Sequence, residues 1–88
     1  MYLHLGNDIA VRKNEILAIF DLDNTSQSIQ TRKFLTEAEK AGRVINAAGD
    51  EIPKSFVVCA DGGGQQTVYL SQLNSSTLLK RSENLGLE

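Results

Sequence analysis

The segment that most constrains the fold is residues 24–43, NTSQSIQTRKFLTEAEKAGR, which has a sustained helical period. Its charged residues fall largely on one face, as in a surface helix whose opposite face is buried. Ser26 or Ser28 can cap the start of this helix, and Gly42 suits the left-handed residue that follows the end. The apolar residues that we expect on the buried face are Ile29, Phe34, Leu35, Ala38 and Ala41.

Short apolar runs bounded by turn residues flank this helix and are typical of strands. Residues 2–12 alternate apolar and polar positions around a Gly-Asn-Asp turn, which favours a hairpin, and residues 16–22 form a third apolar run. The sequence therefore predicts an α+β fold: a small mixed or antiparallel sheet of about six strands with one main helix and a short C-terminal helix. Three more strands and the closing helix are predicted at residues 43–48, 54–60, 67–73 and 74–86.

The length limits how much of this structure one chain can bury. Its 88 residues, 41% of them apolar, predict a single domain over residues 1–88 with one modest core. Sheet edges and apolar faces that such a core leaves open can be covered by other copies of the chain. We therefore expect a homo-oligomer.

Charge and cysteine content narrow the class of protein further. The formal net charge of −2 creates no strong field that would attract nucleic acid or acidic lipid. Cys59 is the one cysteine and lies in an apolar run, which predicts a buried thiol in a reducing compartment. The first residues lack the pattern of a signal peptide, so we expect a cytoplasmic protein that is not bound to a membrane. The single histidine, His4, has no partner at metal-ligand spacing, and we expect neither a metal nor a cofactor.

The stretch ILAIFDLDNT, residues 16–25, resembles the first motif of the haloacid dehalogenase phosphatases. In that interpretation Asp21 is the nucleophile, Asp23 the acid/base, Lys54 the cation beside the phosphate and Asp61 the magnesium ligand. Those enzymes place their sites at the ends of parallel strands joined by long crossovers, and only one helix fits between Asp23 and Asp61. Short polar side chains between a strand and a helix also satisfy free backbone donors. We therefore predict no catalytic residues and keep the phosphatase as a remote alternative.

A second resemblance covers nearly all of the chain. The segments MYLHLGND, TRKFL, GRVIN, PKSFVV and VYLSQLNSSTLLKR occur in the order typical of the small bacterial extracellular-matrix regulatory proteins (RemA/RemB-like), closer to the RemB members. This resemblance implies a non-enzymatic cytoplasmic protein that assembles into cyclic homo-oligomers. It also implies binding of double-stranded DNA to regulate transcription of matrix and biofilm operons, with no small-molecule substrate.

The resemblance points to particular basic residues. Arg32 and Lys33 fall where that family is also basic, whereas two other basic places of the family correspond to the surroundings of Glu15 and to residues 51–55. In the second of these places only Lys54 is basic. The resemblance thus implies Arg32, Lys33 and Lys54 as nucleic-acid-binding residues. The alternative is an oligomeric interaction scaffold of the same fold that does not bind DNA.

Overall fold

A computed structural model of the protein describes residues 2–22 and 29–86, and the side chains of 29–31 and 83–86 are left out of the description. Six strands and two α-helices follow one another in the predicted order, which confirms the α+β class. The elements are β1 (Tyr2–Gly6), β2 (Ile9–Arg12), a 3-10 turn (Lys13–Glu15), β3 (Ile16–Asp21), α1 (Ile29–Lys40), β4 (Val44–Asn46), β5 (Ser55–Ala60), β6 (Gln66–Ser71) and α2 (Ser75–Gly86).

The six strands are divided between two sheets. Strands β1 and β2 form an antiparallel hairpin in which Leu3 lies opposite Val11 and both side chains are buried. Asn7 and Asp8 connect these strands with positive φ angles of 48° and 62°. Two consecutive left-handed residues give the turn whose twist matches that of a hairpin, and Asn and Asp tolerate this conformation better than most residues.

The other four strands form a mixed sheet in the order β3-β5-β6-β4. Strand β5 pairs antiparallel with β3 and β6, whereas β4 pairs parallel with β6. Strands β3 and β4 consequently form the two edges of this sheet.

Each face of the four-stranded sheet packs against a different partner. On one face, Val57 and Cys59 contact the buried leucines of the hairpin and Leu78 of α2. On the opposite face, Phe56 and Val58 pack under Ala38 of α1. The fold therefore has a layer of helix, a layer of sheet, and a layer made of the hairpin with α2.

Helix α1 ends where the glycine signal predicts. Gly42 has a φ of +71°, and the N–H of Arg43 donates to the carbonyl of Ala38 at 2.9 Å, which satisfies a terminal carbonyl of the helix. The prediction for Ala41 is wrong: this residue is exposed, because the helix ends at Lys40 and Ala41 belongs to the turn. The predicted caps Ser26 and Ser28 lie outside the described residues. Neither helix, over the described ranges, combines the length and apolar character needed to cross a membrane.

Candidate functional site

Arg32 and Lys33 lie near the beginning of α1, and both side chains are exposed. The first turn of α1 contains no acidic residue, and neither cation forms an ion pair within the described ranges. The N-terminal end of a helix carries a partial positive charge from its unpaired N–H groups. The two side chains and the helix end therefore add their positive potentials, which suits an anionic partner such as phosphate.

Lys54 is held by its backbone at one end of the four-stranded sheet. Its carbonyl accepts a hydrogen bond from the N–H of Leu22, and its own N–H donates to the carbonyl of Ser71, both at 2.8 Å. The backbone position of Lys54 is thus fixed between the ends of β3 and β6, while its side chain is exposed.

The surroundings of the Lys54 side chain are acidic. Lys54 lines a cleft of about 320 Å³ together with Asp50, Glu51, Ile52 and Gln72. Two carboxylates beside one ammonium group reverse the sign of the local charge and weaken attraction of a phosphate. The oxygen Oε1 of Gln72 is buried there and has no hydrogen-bond partner in the described part of the chain.

The three predicted cations lie on two different parts of the chain. Lys54 lies at the end of the sheet where β3 ends, and α1 is the next element after β3 in the chain. Arg32 and Lys33 are neighbours on α1, whereas Lys54 immediately precedes β5.

A further basic position, which the sequence reasoning missed, lies at the open end of the β1-β2 hairpin. Tyr2, Arg12, Lys13 and Asn14 line a cleft of about 510 Å³. Tyr2 lies directly opposite Arg12 in the hairpin register. The cleft combines two cationic groups and an amide, which can donate to phosphate oxygens, with an aromatic ring on which a base can stack. Counting outward from the Asn7-Asp8 turn pairs Tyr2 with Lys13, and the register shift between His4 and Gly6 moves this pairing to Arg12.

Asp21 and Asp61, two residues of the phosphatase interpretation, lie at opposite ends of the sheet, whereas Lys54 lies at the same end as Asp21. Asp21 pairs with Ser55 at the beginning of β5, whereas Asp61 follows the last residue of the same strand. Six residues of extended chain place the backbones of Asp21 and Asp61 about 20 Å apart. The Asp61 carboxylate also accepts hydrogen bonds from the N–H groups of Gly63 at 2.9 Å and Gln65 at 3.0 Å, within the β5-β6 hairpin. Asp23 lies outside the described residues.

His4 and Cys59 are the two other side chains that could act as metal ligands or nucleophiles. His4 is exposed on β1, and no cluster of three potential metal ligands occurs in the ranges described. Burial, with a smaller contribution from the negative charge of Glu15, raises the pKa of the Cys59 thiol to about 11. The thiol of Cys59 is therefore almost entirely protonated at neutral pH, and is a poor nucleophile.

Comparison with known proteins places this arrangement in a family. The family model "RemA-like: Extracellular matrix regulatory protein A-like" matches residues 2–81. The chain is also similar to the extracellular matrix regulatory protein B of Bacillus subtilis (strain 168), with 35% identity over 83 residues that cover 94% of this chain and 91% of that protein. Both matches span the hairpin, the four-stranded sheet and most of the two helices. The chain belongs to the extracellular matrix regulatory protein A-like family.

Proposed function

We propose that this protein is a cytoplasmic, non-enzymatic regulator that acts as a cyclic homo-oligomer and contacts double-stranded DNA in the control of matrix and biofilm genes. Membership of a family of extracellular matrix regulatory proteins supports the regulatory role. Repeated copies of Arg32 and Lys33, with Lys54 as a secondary contact, bind the phosphate backbone. The proposed function involves no catalysis, cofactor or membrane.

The observation that carries the DNA contact is the basic start of α1. Arg32 and Lys33 are exposed, lack ion-pair partners within the described ranges, and lie beside a helix end with no acidic residue in its first turn. Phosphate groups gain from all of these positive charges at once. The cleft of Tyr2 and Arg12 supplies a second position of the same sign.

Oligomerisation compensates for the small number of cations on each copy. A subunit with a net charge of −2 and two well-placed cations binds DNA weakly, because each neutralised phosphate contributes only a modest free energy. When several subunits present the same cations along one surface, the second and later contacts become intramolecular. The proposed affinity therefore depends on assembly as well as on the basic residues.

The test compares wild-type protein with the triple variant Arg32→Gln, Lys33→Gln, Lys54→Gln in DNA mobility-shift titrations at several salt concentrations. We expect the variant to keep the wild-type mass and stability, since exposed charges contribute little to folding. Its DNA affinity falls, and the slope of log affinity against log salt becomes shallower by up to about 2.7 for each subunit that contacts DNA.

A matched control removes the same number of positive charges elsewhere. The variant Lys40→Gln, Lys80→Gln, Arg81→Gln changes three exposed cations at the end of α1 and on α2. We expect it to keep most of the wild-type affinity and salt slope. An equal loss in both triple variants would show that only total charge matters and would contradict the assigned contacts.

A second candidate function, an oligomeric scaffold without DNA binding, is favoured by one observation. Lys54 shares its cleft with Asp50 and Glu51, so this part of the surface repels phosphate. The electrostatic contribution to DNA binding is large at about 50 mM salt. If the wild-type oligomer does not bind DNA under this condition, the scaffold function replaces the DNA-binding regulator.

A further inference from the structure

The four-stranded sheet has two open edges with unused hydrogen-bonding groups. The N–H of Leu22 bonds to the carbonyl of Lys54, which lies opposite it. Every second residue of β3 points its N–H and C=O towards β5, so those of Ile19, three residues before Leu22, point away from β5. On β4, the carbonyl of Arg43 and the N–H of Ala47 bond to β6. The backbone groups of Val44 and Asn46 therefore point outward from the opposite edge of the sheet.

Both edges expose large apolar side chains. On β3, Leu17 is 58% exposed and Phe20 is 43% exposed, and on β4 Ile45 is 41% exposed. An open edge with apolar side chains is a template for pairing with another strand, and proteins usually cover such an edge or protect it with charges. In the described part of the chain, no further strand pairs with either edge.

The direction of the two edge strands makes them complementary. Both β3 and β4 run antiparallel to β5, because β4 is parallel to β6 and β6 is antiparallel to β5. When a second copy extends the sheet in the same orientation, its β3 runs parallel to β4 of the first copy. The pairing therefore joins two different surfaces, and each copy can bind one neighbour on each side.

Charges at the beginnings of the two strands also match. Val44 and Ala18 lie in one row across the sheet, through Val68 and Val58. If this row continues into a neighbouring copy, Arg43 lies opposite Leu17 of that copy. Glu15 is two residues before Leu17 and is within reach of the long side chain of Arg43. Neither residue forms an ion pair in the ranges 2–22 and 29–86.

The two charged side chains lie on the same side of the sheet. The alternation along β4 places Arg43 on the face of Ile45, which is the face that carries Tyr69. Glu15 is close to that face as well, since its charge contributes to raising the pKa of both Cys59 and Tyr69. A guanidinium and a carboxylate from adjacent copies can therefore meet without crossing the sheet.

From these observations we infer that copies of this chain associate head to tail, with the outer edge of β4 in one copy against the outer edge of β3 in the next. The inference rests on the proposed homo-oligomer and specifies its interface. Arg43 of one copy pairs with Glu15 of the neighbour, and Ile45 lies opposite Ile19 of the neighbour. Because β4 has only three residues, the apolar and charged contacts supplement a short hydrogen-bonded ladder.

Charge reversal tests the interface. Glu15→Arg and Arg43→Glu each bring like charges together, so we expect each to raise the concentration at which the oligomer dissociates by at least about tenfold. The double variant Glu15→Arg, Arg43→Glu restores opposite charges and returns this concentration towards the wild-type value. Light scattering over a dilution series measures it, and Lys80→Glu, an exposed change on α2, is the control.

Disulfide cross-linking provides an independent measurement. In a Cys59→Ala background, the variant Ile19→Cys, Ile45→Cys should form a ladder of covalent multimers on mild oxidation, because the two residues lie opposite each other at the interface and each copy is joined to two neighbours. The single variants, and the control Ile19→Cys, Ile52→Cys, should not form this ladder. Ile52 is 83% exposed, compared with 41% for Ile45, so a cysteine at position 52 is at least as accessible.

The outcomes separate the interface from the proposed function. A wild-type oligomer that neither charge reversal weakens, and that gives no ladder, would overturn the edge-to-edge interface while leaving the oligomer intact. A wild-type protein of monomer mass at every concentration would overturn both the interface and the proposed assembly. Weakening by each single reversal, recovery in the double variant and the specific ladder would together support the interface.

Discussion

The hydroxyl of Ser71 donates a 2.6 Å hydrogen bond to the backbone carbonyl of Leu5 and so joins the four-stranded sheet to the hairpin. Ser71 is fully buried, and its oxygen also accepts a bond from the N–H of Leu73. Its direct neighbour across the sheet, Ser55, is equally buried and donates to the carbonyl of Leu73 at 2.7 Å. Two buried hydroxyls thus satisfy backbone groups at the place where the layers meet.

We predict that Ser71→Ala lowers the free energy of unfolding by about 1–3 kcal/mol, because the buried carbonyl of Leu5 and N–H of Leu73 lose their partner. Urea denaturation at one fixed protein concentration measures the change, since an oligomer's stability depends on concentration. Ser76→Ala is the matched control: Ser76 is exposed and bonds only to the side chain of Asn74. Equal stability of the two variants would contradict a role for Ser71 in joining the sheets.

A second prediction compares two glycines that share a left-handed backbone. Gly42 and Gly49 have φ angles of +71° and +64°, so alanine is strained by roughly 1 kcal/mol at either position. A Cβ at Gly42 meets nothing within 4 Å, whereas at Gly49 it lies 2.7 Å from Nδ2 of Asn7. That nitrogen donates to the carbonyl of Ala47 at 2.8 Å and ties the hairpin turn to the end of β4.

Gly49→Ala should therefore destabilise the protein by about 1 kcal/mol more than Gly42→Ala, through loss of the bond between Asn7 and Ala47. Thermal unfolding of both variants at the same concentration gives the comparison. In an Asn7→Ala background the difference should disappear, because the side chain that is displaced is absent. A difference that persists there would assign the cost to another contact.

The sequence was sufficient to predict the elements because their signals are local. The helical period predicted α1, Gly42 its end, and the Gly-Asn-Asp turn the hairpin. The division into two sheets depends on contacts between distant residues, such as Ser71 with Leu5, which no local pattern contains. Strand β4 pairs in parallel with β6, although β5 lies between them in the sequence, and this pairing is unpredictable from sequence for the same reason.

The candidate site was predictable only in part. Periodicity correctly places Arg32 and Lys33 on the exposed face of α1. The acidic neighbours of Lys54 are close in sequence, but the cleft that gathers them also includes Gln72, which is distant. The cleft of Tyr2 and Arg12 was missed because the two residues meet through the hairpin register. The assignment of DNA contacts stays a prediction that the binding experiment must decide.

The last prediction concerns the pH dependence of stability, which Cys59 controls through its raised pKa. Burial and, to a smaller extent, the charge of Glu15 raise the pKa of the folded thiol from 9.0 to about 11. Above about pH 9 the unfolded chain loses this proton while the folded chain retains it, so alkaline pH favours unfolding. The stabilising contribution is fully present below pH 9 and is lost as the pH rises towards 11.

We therefore expect the free energy of unfolding of wild-type protein to fall more steeply between pH 9 and about 11 than that of Cys59→Ala. The pKa of Tyr69 is raised mainly by its burial and next by the charge of Cys59, so the difference between the two proteins contains the titration of Cys59 and its effect on Tyr69, which act in the same direction. Glu15→Gln removes one cause of the raised pKa of Cys59 and should make the decline in stability shallower than in wild-type protein.

Urea denaturation at each pH measures this decline. Alkylation by iodoacetamide at pH 8 is an independent measurement, because a thiol with a pKa near 11 is only about one thousandth ionised at that pH. Parallel stability curves for wild type and Cys59→Ala, together with rapid alkylation of the folded protein, would contradict the buried, protonated thiol.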